Sequence, residues 1–375
     1  MSNNIKTDIL IIGGGIAGCI AATSLSKHYN VTLVDKLITP VERIGESLAP
    51  ASQRILNQLG LLDDKTDKHL LKNNVYIPNL GMQSYWGNES VNIVDHLKNP
   101  DGFVRNLDRK AFETYLRRKT SEHNVTCLWG MKLYTSNYEN NEWRVVVKSN
   151  TVKDRKTTEI NAKFVIDASG RQSHFAKNFT DRIQEDALVA CWISLPNTEK
   201  NTMSTIVSDR LGWWYTAVIP NQRRIISFHT DPDLIDRKTF KSSASFLALI
   251  KQNKVLSKYI NNEKEIEFHG TVSANSTRLK NVVGKQWVAL GDAATSFDPL
   301  SSQGMFNAMA SAMQMSSLLY TYNFIDNLNP DKIKQFATSY SYQIDNIWKH
   351  YLSHKTTFYR SETRWKNAAF WKRRQ

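Results

Sequence analysis

The residues best equipped for chemistry sit in glycine turns spread along the chain. The first is Gly13-Gly14-Gly15-Ile16-Ala17-Gly18. It lies between an apolar run, Asp8-Ile9-Leu10-Ile11-Ile12, and small, apolar residues from Cys19 to Lys27. A second apolar run, Val31-Thr32-Leu33-Val34, leads into Asp35 and Lys36. Strand, glycine turn, helix and strand in this order form a dinucleotide fingerprint. Gly13, Gly15 and Gly18 let the backbone approach a pyrophosphate. A helix opening at Ile16 and Ala17 offers N–H donors and the positive end of its dipole. Asp35, about twenty residues beyond the turn, suits the ribose hydroxyls. The fingerprint alone leaves NAD and FAD both open.

Two later turns bear on that choice. Ala162-Lys163-Phe164-Val165-Ile166-Asp167-Ala168-Ser169-Gly170-Arg171 reads as a strand ending in an acid, two small residues and a glycine. Trp287-Val288-Ala289-Leu290-Gly291-Asp292 is another strand and turn, and Asp298-Pro299-Leu300-Ser301-Ser302-Gln303-Gly304-Met305 leads into a helical pattern through Leu319. In type and order these resemble the second and third FAD segments of glutathione-reductase-like flavoproteins. The resemblance implies an α/β chain with an FAD domain of the p-hydroxybenzoate-hydroxylase type. It puts Asp167 and Gly170 in the second FAD turn, and Gly291 and Asp292 beside the ribityl chain and pyrophosphate. Pro299, Gln303, Gly304 and Met305 then open a helix toward the flavin pyrimidine ring, where a helix N-terminus stabilises the negative charge of reduced flavin. Leu107-Asp108-Arg109-Lys110-Ala111-Phe112 is similar to a family segment whose arginine opens a helix beside the pyrophosphate, which makes Arg109 a cofactor contact. No second G-x-G-x-x-G follows. Reducing equivalents are therefore expected through a shared site, a separate flavin reductant, or the substrate.

The elements that position these turns follow from the remaining pattern. A chain of 375 residues exceeds one small core and fits two units. The FAD-binding unit is expected from residues 1–78, 100–178 and 270–325. A substrate unit is expected from 79–99 and 179–269, and a C-terminal helical segment from 326–375. Runs rich in β-branched and aromatic residues predict a mostly antiparallel roof over the flavin. They are Trp143 to Lys148, Leu188 to Ile193, Thr202 to Val207, Trp213 to Ile219 and Arg224 to His229. Phe246 to Ile250 predicts a short helix beside the roof. Tyr85-Trp86 and Gly212-Trp213-Trp214-Tyr215 place neighbouring aromatics on opposite strand faces, so at least one of each group should look away from the core, and a flavin-side aromatic pocket is the functional reading of that.

Ile44-Gly45-Glu46-Ser47-Leu48-Ala49-Pro50 resembles the segment of flavin-dependent halogenases that touches the isoalloxazine edge, which implies Glu46 and Ser47 as cofactor neighbours. The halogenase Trp-x-Trp-x-Ile-Pro motif is not intact. Aligned on Ile219-Pro220, Tyr215 and Ala217 stand where its tryptophans belong, and Lys72 has the context of a solvated lysine. Other stretches are similar to the flavoproteins that mature tryptophylquinone enzymes, the LodB/GoxB group. They are Gln83 to Gly87, Asp101 to Arg109, Gly212 to Tyr215 with Pro220, and Phe370 to Arg374. That resemblance spans nearly the whole chain. It implies an FAD-dependent monooxygenase whose substrate is a protein, the precursor of a tryptophylquinone oxidase, with a basic, aromatic tail that helps hold it. The alternatives are a monooxygenase or halogenase of free aromatics, a flavin reductase of alkenes, and an assembly factor whose FAD is structural. His174, His229 and His269 could shuttle protons, but each fits a structural role more readily, and no catalytic acid is assigned.

Bulk properties narrow the classes. The net charge is +14, with basic residues gathered between Trp348 and Arg374. No nucleic-acid-binding pattern accompanies it, so no nucleic acid partner is expected. No run approaches about 18 uninterrupted apolar residues, so no membrane span is expected, and the N-terminus lacks a signal-peptide pattern. Cys19, Cys127 and Cys191 make neither a zinc motif nor a disulfide framework. They read as buried hydrophobes, with no metal and a reduced, cytoplasmic setting expected.

Overall fold

In the computed structural model, which describes residues 3–96, 99–151 and 156–375, the glycine turns are brought together by one mixed sheet whose central strands are parallel. Its strands run in the order Val283–Gly284, Trp287–Ala289, Thr157–Asp167, Asn3–Ile12, Val31–Asp35 and Val125–Trp129. The central strands are apolar on both faces because both are covered; Ile9, Leu10, Ile11, Val165 and Ile166 are fully buried. Register does the positioning. Ile12 lies opposite Asp167, and Asp167 opposite Ala289. Each of these residues ends its strand just before a turn, so residues about 120 to 280 positions apart in sequence share one sheet edge.

The helix Ile16–Leu25 is buried along its whole length and packs against the helix Gly304–Tyr322. Small residues permit this approach. A Cβ on Gly291 would meet Ala17 Cβ at 2.9 Å, and one on Gly18 would lie 1.8 Å from Gly13 O. Gly13 has φ +111°, and its own Cβ would lie 2.3 Å from Ala168 O. The first and second turns are thus in backbone contact.

A seven-stranded sheet forms the roof. Its order is Glu267–Ser273, Val189–Pro196, Arg223–Thr230, Gly212–Ile219, Ser204–Asp209, Gly81–Tyr85 and Asn92–Asp95. Glu142–Ser149, which contains the expected roof strand at Trp143, pairs instead with Thr157–Asp167 in the first sheet. Its aromatic and β-branched content fits either sheet, and only the hairpin contact decides. On one face of the roof, Cys191, Ile193, Trp214, Ile226 and Phe228 pack against the helix Ser243–Gln252. The other face carries Trp192, Tyr215, Ala217 and Ile225, with Ile44 against them. Trp213 and Trp214 do point to opposite faces, but both faces are cores. Trp213 stacks on His229 at 3.6 Å and packs in a cluster with Trp86, Tyr359, Phe370 and Trp371.

The C-terminal part holds the two sheets together. Asn329 caps the helix Pro330–Arg360 by accepting from Asp331 N and Lys332 N, with proline in the first turn. Tyr340 Oη on this helix donates to Ala289 O (2.9 Å), at the end of a nucleotide-sheet strand, and Tyr359 Oη accepts from Trp213 Nε1 of the roof (3.1 Å). The basic, aromatic tail is not a free docking arm. Phe370 and Trp371 are fully buried, Arg374 is paired with Asp231 inside the protein, and Arg373 binds Asp231 and Asp233 at 2.8 and 2.6 Å. Burying aromatic area and pairing its own acids satisfies the tail within the chain. Among the described residues no helix is long and apolar enough to cross a membrane.

Candidate functional site

The first and second turns touch through Gly13 and Ala168, the first and third through Ala17 and Gly291, and Arg109 and Tyr215 reach the segment Ile44–Ser47 from helix and roof, so we read the space between them as one groove. At its nucleotide end, Asp35 Oδ2 accepts from Gly14 N (2.7 Å) and Oδ1 from Leu37 N (2.7 Å). Arg117 lies 3.1 Å from Asp35 Oδ1, donates to Gly14 O (2.9 Å) and Leu37 O (2.8 Å), and stacks over Trp129. Asp35 therefore first ties the turn to its strand, with 12% of its side chain left exposed. Lys36 is exposed beside it. Arg117 was not singled out from the sequence, though a signal exists. Arg109, Glu113 and Arg117 repeat every four residues on the helix Arg109–Ser121, which is one helical face.

Two helix N-termini open on the groove. Gly15 before Ile16–Leu25 and Gln303 before Gly304–Tyr322 provide no side-chain cap. A Cβ on Gly15 or Gly304 would meet nothing within 4 Å. Uncapped N–H groups in open space beside a glycine suit an anion. Pro299 and Gln303 are exposed at this turn, and Met305 is buried under it. Gly291, with φ +57°, begins the third turn, and Asp292 is left 41% exposed, with Arg171 Nε 3.7 Å from its carboxylate. Gly170 also has positive φ and open space at its Cβ. Asp167 behaves differently. It is fully buried, and its oxygens accept from Ser169 N, Ser169 Oγ, Phe175 N and Ala176 N at 2.6–3.0 Å. Asp167 shapes the second turn from inside, and its carboxylate does not face the groove. Asp298, just before Pro299, is also inward. It accepts from Tyr359 Oη (2.7 Å) and Leu300 N (2.9 Å), and burial raises its pKa.

At the other end of the groove Glu46 is 3% exposed. Pairing of Ser47 with Asn106 fixes its backbone, and Tyr215 Oη of the roof donates to its Oε1 (2.6 Å). Its Oε2 is buried without a partner among the described residues. Burial pushes its pKa up, against the Tyr215 hydrogen bond and the more distant Arg109. Arg109 itself donates to Gly45 O (2.6 Å) and to Glu113 Oε1 (2.6 Å), while its Nε is a further buried atom without a hydrogen-bond partner among the described residues, and Glu113 Oε2 has no hydrogen bond but faces Arg43 at 3.6 Å. Such orphans are uncommon in a completed interior. Together with the bare helix ends they fit a groove that a polar, anionic cofactor completes.

The histidines considered as proton carriers are placed by packing. His229 is stacked on Trp213, and burial lowers its pKa to about 3. His269 is stacked on Trp192 at 3.7 Å and meets Ser194 Oγ at 2.9 Å. His174 is half-buried, with Nε2 lacking a partner. Glu42, Glu267 and His269 bring ligand-type atoms within 4.8 Å of one another, but Glu267 is 3.0 Å from Arg223. The three cysteines are free thiols, and burial raises Cys19 and Cys191 to about 12.

Residues 6–322 match the family model of an FAD binding domain. Over 373 residues the chain is 26% identical to LodB of Marinomonas mediterranea, assigned as an FAD-dependent oxidoreductase, covering 98% of this chain and 96% of that protein. It is 25% identical over 329 residues to a tryptophan 2-halogenase of Chondromyces crocatus, covering 82% of this chain and 60% of the halogenase. Among solved structures it is similar to the myxobacterial chondrochloren halogenase CndH, with TM-score 0.83 and 19% identity over 99% of this chain and 86% of that one. It is also similar to QhpG, a peptidyl tryptophan dihydroxylase essential for tryptophylquinone cofactor biogenesis, with TM-score 0.79 and 20% identity over 99% of this chain and 79% of that one.

Proposed function

The chain belongs to the FAD binding domain family and is an FAD-dependent oxidoreductase, and from that premise we propose that it oxygenates a tryptophan side chain of a partner protein during tryptophylquinone biogenesis. Likeness to LodB along almost the full length of both chains carries this reading. The departure from the halogenase motif at Tyr215 and Ala217 supports it, because the first of these is a hydrogen-bond donor to Glu46 rather than an indole.

In this reading the pyrophosphate lies against Gly13, Gly15, Ile16, Ala17 and Gly18, the adenosine ribose against Asp35 and Lys36, and the ribityl chain against Gly291 and Asp292. Pro299, Gln303, Gly304 and Met305 would face the pyrimidine ring and Glu46 and Ser47 its edge, with Gly170 in the second turn and Arg109 beside the pyrophosphate. Bound there and reduced, FAD supplies two electrons and the means to activate dioxygen. The chain orients the indole under the roof and keeps water out. The uncapped N-terminus at Gly304 favours negative charge beside it. The division into an FAD-binding unit, a substrate roof and a C-terminal helical segment belongs to the same proposal.

The test is a mass spectrum of a quinoprotein precursor co-expressed with the wild type or with Asp292→Ala. Whole oxygens gained on one tryptophan peptide, and lost with the variant, are expected. An unchanged precursor alongside yellow protein and ample reductant would return the weight to a second reading, a halogenase or monooxygenase of free aromatics, which the fold shared with CndH favours. Incubation with tryptophan, halide and reduced flavin then checks that reading.

A further inference from the structure

Glu46 combines three features that a structural carboxylate does not need. It is almost fully buried, it receives one hydrogen bond on Oε1, and it has no partner on Oε2 among the described residues. Of the charged groups around it, Arg109 opposes burial from a distance but makes no direct ion pair with Glu46. Tyr215 faces it from the roof and is a neutral phenol. Arg109, on the helix Arg109–Ser121, directs its terminal guanidinium nitrogens to Gly45 O and Glu113 rather than to Glu46. Arg43 lies 3.6 Å from Glu113. The backbone N–H groups of Gly45 and Glu46 and the charge of Arg109 offset burial only in part, and a buried carboxyl without a directly paired cation takes a proton instead. Tyr215 is itself fixed in a buried polar chain. Ser204 Oγ lies 3.2 Å from Tyr215 Oη, and Asn79 Nδ2 donates to Ser204 Oγ (2.7 Å). Since Oε1 is taken by the phenol, the acid proton falls to Oε2, where no described residue accepts it.

We propose that Glu46 is a neutral carboxylic acid with its proton on Oε2, and that this proton serves the oxidation carried out beside it, with Tyr215 as the residue that positions the acid. The inference rests on the oxygenase reading and assigns the acid that this reading lacks. Hydroxylating an aromatic carbon with dioxygen consumes two electrons from a nicotinamide- or flavin-type reductant and two protons from solution. One oxygen atom ends in the new C–OH bond, the other in water. The ring carbon loses its C–H proton as the C–O bond replaces it. Glu46 gives a proton to reduced oxygen and recovers the ring proton, so it finishes each cycle unchanged.

Infrared spectroscopy of the FAD-loaded protein at pH 7 tests the first half. The carbonyl stretch of a protonated carboxylic acid is expected in the wild type, absent in Glu46→Gln and displaced in Tyr215→Phe. The second half is read from the ratio of hydroxylated product to oxygen consumed. Glu46→Gln should lower it on the order of a hundredfold, a general acid's usual contribution, with peroxide released instead. Glu46→Asp should restore part of it, and Tyr215→Phe should shift its pH profile. A missing band in a protein that does oxygenate, or full coupling in Glu46→Gln, overturns the proposal for Glu46 alone. A wild type that oxygenates neither a precursor nor a free aromatic overturns the oxygenase reading, and with it the use of the proton.

Discussion

The helix Arg109–Ser121 carries an arginine to each end of the groove, and the two ends are finished differently. Arg109 and Arg117 are eight residues apart, about 12 Å along the axis. At the nucleotide end, Arg117 meets Asp35 in a closed set, with backbone donors on both carboxylate oxygens. At the other end, Arg109 is diverted to Glu113, and Glu46 is left with one phenol and an empty oxygen. The first arrangement holds a turn in shape before any ligand arrives. The second stores polar capacity that the chain does not use. Similar residue types thus give a scaffold at one end and a reactive position at the other, and the number of satisfied hydrogen bonds separates them.

The largest effect is expected at the closed end. Arg117→Met leaves Asp35 without its cation, Leu37 O without its side-chain donor and Gly14 O with only the weak Cys19 thiol. A loss of about 3–5 kcal/mol, typical of breaking a buried pair, should appear in denaturant unfolding. A loss below 1 kcal/mol would mean that the closed set is not structural. Next come two glycines of the same turn. Gly18→Ala forces a Cβ onto Gly13 O and should cost roughly 1–3 kcal/mol. Gly15→Ala has open space and φ −82°, so the melting temperature should hold while FAD retention falls. Equal loss of stability in both would erase the distinction between packing glycine and ligand glycine.

A smaller effect is expected at the open end, and its sign follows from the raised pKa of Glu46. Below the unfolded carboxylate pKa of about 4.3 both states are protonated. As pH rises through the unfolded pKa and on to the folded one, the unfolded chain ionises first, and the wild type loses stability relative to Glu46→Gln. Melting curves should therefore favour the Gln variant increasingly from pH 4 upward and converge below it. The opposite slope would make Glu46 a native carboxylate. The smallest effect is a control far from both ends. Arg144 and Glu159 pair on an exposed hairpin face (2.7 Å), and Arg144→Ala should leave the melting temperature unmoved.

The glycine turns were legible because their chemistry is local. Strand, glycines and helix occupy consecutive positions, and backbone contact with a ligand demands the missing Cβ at Gly15 as written. The fold class followed from the same turns. The orientation of acids was not legible. Asp35, Asp167 and Asp292 each stand at a turn, yet Asp35 is shared between turn and groove, Asp167 is wholly inward and Asp292 is open. A hydrogen bond to residues eight or more positions away, as at Phe175 and Ala176, leaves no pattern in the run itself. The tail misled for a related reason. Phe370-Trp371-Lys372-Arg373-Arg374 has the composition of a basic docking arm, and only the distant Asp231 and Asp233 turn it inward.

By itself, then, the sequence determined the glycine turns, the strands that lead into them and the departure from the halogenase motif, since each is written in contiguous residues. Tertiary structure alone decided that Ile12, Asp167 and Ala289 share one sheet edge, that Trp143 leaves the roof, and that Glu46 keeps a free oxygen beneath Tyr215. Such facts depend on which distant strand comes to lie alongside, and on how many donors it brings, and the free energy of that pairing is spread over the whole interface rather than stored in any one segment.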